Sequence, residues 1–259
     1  MSTSSHTNTA TPTPPASGAD AWLVRVQGLL AKAESTEFPE EAEALMAKAQ
    51  ELMTRHAIDE AMLATSGKPG ADPVESAVIV VEAPYATAKA SLLGAVALAN
   101  NSRCVFTGTE SGAKQCVVVG HASDLANIRT LYAALSLHAV RTMLVAPIPA
   151  HDTPRRFRHA FLLAFAGRIG ERLREAGEAA RRQAEAATGA AEASQRIGIV
   201  LADRSTAVDQ AFKQEFPRVR TARPSSSSSA GRVSGRNAAD RAGLGQPGLG
   251  TTRRHLRSL

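Results

Sequence analysis

Apolar residues recur every three or four positions near the start of the chain. Trp22, Val26, Leu29, Leu30 and Ala33 share one face and predict a helix from about Ala21 to Ala33, capped by Asp20. The link "ESTEF" follows, and a second helix carries Ala42, Leu45, Met46, Ala49, Leu52, Met53 and His56 on one face. Lys48, Gln50, Glu51 and Arg55 mostly face away. Ser35 or Thr36 is placed to cap this helix. Pro39 suits a first turn, where its missing N–H costs nothing, and Glu37, Glu40 and Glu41 favour the positive end of the helix dipole. A short third helix over about Asp59 to Ala64 adds Met62 and Leu63, and "TSGKPGADP" then reads as a linker.

Beyond the linker the period changes. "SAVIVVEA" (76–83) predicts a strand, and residues 86–100 a helix with Leu92, Leu93, Val96 and Ala99 inward. "RCVFTGT" and "KQCVVVG" predict two strands joined by "ESGA" as a hairpin. Ser123 or Asp124 would cap a helix of about twenty residues, in which Leu125, Ile128, Tyr132, Leu135 and Ala139 share a face. "APIPAHDTP" breaks it. A long helix follows from about Pro154, with Phe157, Phe161, Phe165 and Ile169 spaced four apart, and another runs from about Ala190 to Phe212. The chain divides accordingly into a disordered lead (1–19), a helical hairpin module (20–65), a linker (66–75), an α+β domain (76–212) and a tail (213–259). The fold class is α+β and helix-rich: a three-helix module, then a small three-stranded sheet in the order β-α-β-β-α-α-α covered by helices, with disordered termini.

Charge sharpens the reading of the tail. From Lys213 to Leu259 ten basic residues face two acids, so this segment holds +8 and residues 1–212 hold −2 of the chain's net +6. Attraction to polyanions should therefore come from the tail, whose Arg, Gly, Ser and Pro content predicts disorder, with room for a short helix in "SGRNAADRAG". Arg218, Arg220, Arg223, Arg232, Arg236 and Arg241 are the expected nucleic-acid contacts, since phosphates are met by guanidinium and ammonium groups on flexible arms. Two cysteines and no export signal point to a reducing cytoplasm, and no apolar run approaches the roughly 20 residues needed to span a bilayer.

The stretches "LLAKAEST", "PEEAEALMAKAQELM" and "HAI" resemble a bacterial and phage family known only as a domain of unknown function, over residues 22–63. The region behind it is similar to the family's companion α+β domain through "LANNSRCVF", "VVVGHASDLANIRTLYAAL" and "FRHAFLLAFAGRIGERL". The resemblance implies a two-part chain. It brings no activity, cofactor or catalytic residue.

The candidate chemistry is sparse, and each candidate has a plainer reading. Cys104, Cys116, His121 and His138 have zinc-ligand chemistry but lack any Cys-x-x-Cys or His-x-x-x-His spacing, so core residues are the better expectation and no metal or cofactor is expected. The two cysteines are not directly opposite across the hairpin, which argues against a disulfide. "VVVGHASD" has the strand–glycine–helix shape of a phosphate loop, yet only one glycine and no lysine, which favours an ordinary cap. His56 reads as a helix-end histidine. His151, Asp152 and His159 read as loop residues among prolines. The helical hairpin is a poor DNA reader, because its link is long and its second helix begins with acids. Two functions remain. One is a binding or adaptor protein with weak nucleic-acid affinity in its tail and a protein partner or second copy at its helical module. The other is a hydrolase-like enzyme with a site at the hairpin and following helix start, for which His121, Asp124 and His138 are the weak candidates.

Overall fold

The computed structural model describes residues 18–36, 41, 45, 48–49, 51–53, 55–56, 72–187, 191–220 and 224–242. The chain is helix-rich and holds one small antiparallel sheet.

Helix α1 (Gly18–Ser35) is longer than expected at both ends, so Asp20 lies within it rather than capping it. Its stripe is buried as the periodicity requires, through Val26, Leu30 and Ala33. The described positions between 41 and 56 are helical, with Ala49 and Met53 buried and Leu45 and Leu52 half-buried against the same core. Lys32 pairs with Glu41 at 3.1 Å, and Thr36 donates to Glu41 at 2.7 Å, joining the two helical stretches across the link. The third helix expected over 59–64 and the positions Glu37, Pro39 and Glu40 lie outside the described residues.

Strand β1 (Val74–Val81) begins two residues earlier than expected, inside the stretch read as linker. Helix α2 (Ala86–Ala99) and strands β2 (Arg103–Gly108) and β3 (Lys114–His121) fall close to their expected places. The sheet order is β1-β3-β2, antiparallel throughout, so the last strand in sequence is the central one. At the hairpin Gly112 takes a φ of 78°, a left-handed value that glycine adopts without penalty, and its N–H donates to the Thr109 carbonyl at 3.1 Å. Even-numbered β3 residues Cys116 and Val118, with Ala77 and Val81 of β1, face α2, whose Leu92, Leu93 and Val96 are buried against them.

Helix α3 (Ala122–Val145), α4 (Pro154–Ala187), α5 (Ala191–Glu215) and α6 (Ser229–Arg241) complete the fold. Phe157, Phe161, Phe165 and Ile169 of α4 are fully buried, as their four-residue spacing predicts. Helix α5 lies over the other face of the sheet. Val208 and Val119 fill that contact, Arg103 pairs with Asp209 at 2.7 Å, and Ser76 donates to Glu215. Among the described residues no helix is long and apolar enough to cross a membrane.

The tail is the main departure from expectation. Within the stretch read as disordered, 229–241 forms a 13-residue helix laid along α4. The contact is made by small residues rather than large ones: Gly231, Gly235, Ala238 and Ala239 are buried. A Cβ on Gly231 would strike the Phe157 carbonyl oxygen, and one on Gly235 the Phe161 carbonyl oxygen, so the two helix backbones touch only because both positions are glycine. Both ends are fastened. Ser228 accepts from the Gly231 N–H at 2.9 Å and donates to Asp152, while buried Arg172 donates to the carbonyls of Ala239, Asp240 and Ala242. Arg168 pairs with Asp240, and Arg236 with Glu171 at 3.2 Å.

Candidate functional site

The junction of β3 and α3 is where the sequence placed its weak catalytic candidates. It holds a buried polar network. Asp72, just before β1, sits beside this junction because Val74 pairs with His121 at the end of the ladder. One Asp72 carboxylate oxygen accepts from the Ser123 N–H at 2.9 Å and the other from the Ser123 hydroxyl at 2.7 Å. Arg204 of α5 donates to Asp72 at 2.7 Å and to Asp124 at 3.3 Å. Asp72 thus does the capping expected of Ser123 or Asp124. His121 is the N-cap residue but makes no side-chain cap bond.

The phosphate-loop shape of "VVVGHASD" has a structural cause. Gly120 leaves room for the Ser102 hydroxyl, which a Cβ there would overlap. The first N–H groups of α3 are also already used. Ala122 donates to the Pro73 carbonyl at 3.0 Å, and Ser123 to Asp72. Two of the N–H groups that a phosphate at this helix start would use are therefore taken.

The charges shift as their surroundings require. Burial pushes the Asp124 carboxyl up to about 6, against the lowering effect of Arg204; Asp72 raises it further and His121 opposes this. Burial acts on Asp72 in the same direction, but the bonds from Ser123 and Arg204 outweigh it and hold that carboxyl below its usual range. His121 Nδ1 lies 2.8 Å from the Asp72 backbone carbonyl and donates to it, which leaves Nε2 buried without a hydrogen-bond partner. Asn127 Oδ1, one turn further along α3, is likewise buried and unpartnered.

His138 does not join this group. It lies fourteen positions beyond Asp124 on α3, about 21 Å along the helix at about 1.5 Å per residue. There it packs near Phe165, with ring centroids 6.0 Å apart. Burial lowers its pKa, and Arg141 and Arg241 lower it further. Cys104 and Cys116 sit on the inner face of the sheet as diagonal neighbours, opposite Val118 and Phe106 respectively, and both are free thiols. The hydrogen bond between them raises Cys104 and lowers Cys116. Among the described residues no group of three His, Cys, Asp or Glu could hold a metal ion. Asp152 carries a structural load: it bonds Ser228, the Thr153 N–H at 2.8 Å and Arg156 at 3.2 Å, and the Ser228 bond leads in lowering its pKa.

Asp124 lines a cleft. This cleft, of about 550 Å³, opens between the end of α2, the start of β2, the second half of α4 and the middle of α5. Arg103, Arg174, Arg181, Glu178 and Asn101 are among its other lining residues. Asn101 turns the chain there with a φ of 52°, a left-handed value that asparagine tolerates better than most residues. Sequence reasoning missed the cleft and the Asp72–Arg204 pair, because residues 72, 103, 124, 174 and 204 share no local spacing.

Of the expected nucleic-acid contacts, Arg218, Arg220, Arg232, Arg236 and Arg241 are all exposed, and Arg223 lies outside the described residues. Arg232 and Arg236 stand one turn apart on α6, exposed on the flank beside its buried glycines. Among the described residues Arg236 has a carboxylate partner, Glu171, whereas Arg218, Arg220, Arg232 and Arg241 make no ion pair.

Residues 22–60 match a family described as "Protein of unknown function (DUF2786)", for which no activity is established. No curated protein and no solved structure matches the chain.

Proposed function

We propose that the protein is a cytoplasmic binding or adaptor protein that touches nucleic acid through the arginines of its C-terminal segment. The observation that carries this reading is the set of exposed arginines on and before α6, four of which have no acidic partner among the described residues. Guanidinium groups without a carboxylate partner are the chemistry that meets phosphate oxygens, and a docked helix presents them at lower ordering cost than a loose arm. Engagement of a protein partner or a second copy at the N-terminal helices belongs to the same reading. It is supported only by Val24, which α1 leaves 64% exposed.

The test is fluorescence anisotropy of a labelled single-stranded oligonucleotide with the full chain and with a variant carrying Arg218, Arg220, Arg232, Arg236 and Arg241 all as Gln. Each lost phosphate contact lowers affinity, so at moderate salt the variant should bind at least about a hundredfold more weakly. Equal binding by the two proteins would remove the basis of the proposal.

A second, enzymatic reading is favoured by one observation: Asp124 lines a cleft with a carboxyl raised to about 6, a value suited to passing protons near neutral pH. In that reading His121 positions the helix start and His138 takes no part.

A further inference from the structure

Strand β1 is an edge of the sheet: among the described residues it pairs with β3 on one side and with no strand on the other. The direction of its free backbone groups follows from how the strand begins. The ladder that pairs Val74 with His121 is continued one step by the Ala122 N–H, which donates to the Pro73 carbonyl at 3.0 Å. Bonded and non-bonded pairs alternate along an antiparallel ladder, so Glu75, Ala77, Ile79 and Val81 turn their N–H and C=O groups to β3. Val74, Ser76, Val78 and Val80 turn theirs away from the sheet. Among the described residues no backbone group bonds to them there.

The side chains of the same residues lie on the face that α5 covers only in part. Helix α5 crosses the sheet along one row, where Arg103 pairs with Asp209, Val119 and Val208 are buried, and Ser76 donates to Glu215. In the next two rows, Val105–Val117–Val78 and Thr107–Gln115–Val80, no residue is fully buried. Val78 is 53% exposed and Val80 56%. Lysine, proline or a bulge commonly blunts an edge strand against pairing with another chain. Residues 74–81 contain no lysine or proline, and their ladder with β3 runs without a break.

We propose that β1 pairs antiparallel with β1 of a second copy of this chain, joining the two sheets into one. A two-fold axis at Val78 sets Val78 against its own copy, Val80 against Ser76 of the second copy, and Ala77 against Ile79. The outward groups of Ser76, Val78 and Val80 then bond in reciprocal pairs, and the exposed valines of both copies form one apolar strip. The strand is its own complement in charge as well. Glu75 falls opposite Val81 and Glu82 opposite Val74, so no two acids face each other. That match favours a second copy over an unrelated extended peptide. The contact does not involve α1, so it is independent of the reading given to the N-terminal helices.

Sedimentation velocity of the full chain from about 1 to about 300 µM tests this, because a strand-edge contact is small and its dimer depends on concentration. The expected result is passage from monomer to dimer across that range. Val78→Lys sets two ammonium groups opposite each other and should weaken the dimer by at least about tenfold. Its circular dichroism should be unchanged, because the side chain is exposed. Amide hydrogen exchange on the natural chain is a second readout that needs no variant. The N–H groups of Ser76, Val78 and Val80 should exchange at least about tenfold more slowly in the dimer than in the monomer. A chain that stays monomeric throughout would overturn the proposal and leave the edge open to an unrelated extended peptide. A dimer in which those amides exchange as in the monomer would also overturn it and place the contact elsewhere, as would a dimer of unchanged affinity in Val78→Lys.

Discussion

Arg204 reaches across 132 positions of sequence to Asp72 and across 80 to Asp124, and its side chain is only 9% exposed. A buried guanidinium between two carboxylates is stable only as a set. Arg204→Met would leave Asp72 and Asp124 facing each other, and urea denaturation should show a loss of about 3–5 kcal/mol. Asp124 itself predicts a pH dependence. Its folded carboxyl, at about 6, lies above its ordinary 3.8, so folding favours the protonated form. The contribution is fully present below the ordinary value and is lost as pH rises through about 6. The stability of the natural protein relative to Asp124→Asn should therefore fall by about 3 kcal/mol between pH 3 and pH 7. Asp72, held below its usual range, acts in the opposite direction at lower pH, and the Asn variant isolates Asp124 because Asp72 is present in both proteins. A flat difference across that range, measured by denaturation at each pH, would show that the Asp124 carboxyl is not perturbed.

At the scale of elements, the helices with large apolar residues were legible and the one without them was not. The stripes of α1 and α4 announced themselves because Val26, Leu30, Phe157, Phe161 and Phe165 repeat at helical spacing and are buried. Helix α6 has no such stripe. Its buried face is Gly231, Gly235, Ala238 and Ala239, residues that by composition resemble a flexible tail. Close backbone approach replaces side-chain volume there, and the visible signals were the four-residue glycine spacing and Ser228 before it. Gly235→Ala tests the contact with an informative sign. Alanine is the better helix former by about 1 kcal/mol, so an undocked α6 would gain stability. Docked against Phe161, the added methyl should instead cost about 1–3 kcal/mol in chemical denaturation. In the N-terminal module Met53 is 1% exposed and Leu52 half-buried, so Met53→Ala should cost about 2–5 kcal/mol and Leu52→Ala clearly less.

For the whole molecule the decisive quantity is where the positive charge sits. The sequence located +8 between Lys213 and Leu259, but not that part of this stretch docks on α4 and holds Arg232 and Arg236 outward on a fixed surface. A deletion from residue 217 onward would therefore remove part of the packed fold as well as the charge. It cannot separate binding from folding. The direct measurement is oligonucleotide affinity against salt concentration for the full chain and for a chain ending at Ala242, which keeps α6 intact and drops Arg253, Arg254 and Arg257. The account predicts that binding persists in the shorter chain, with the slope of log affinity against log salt reduced by at most about three contacts. Loss of all binding with those last residues would contradict it and place the nucleic-acid contact beyond α6.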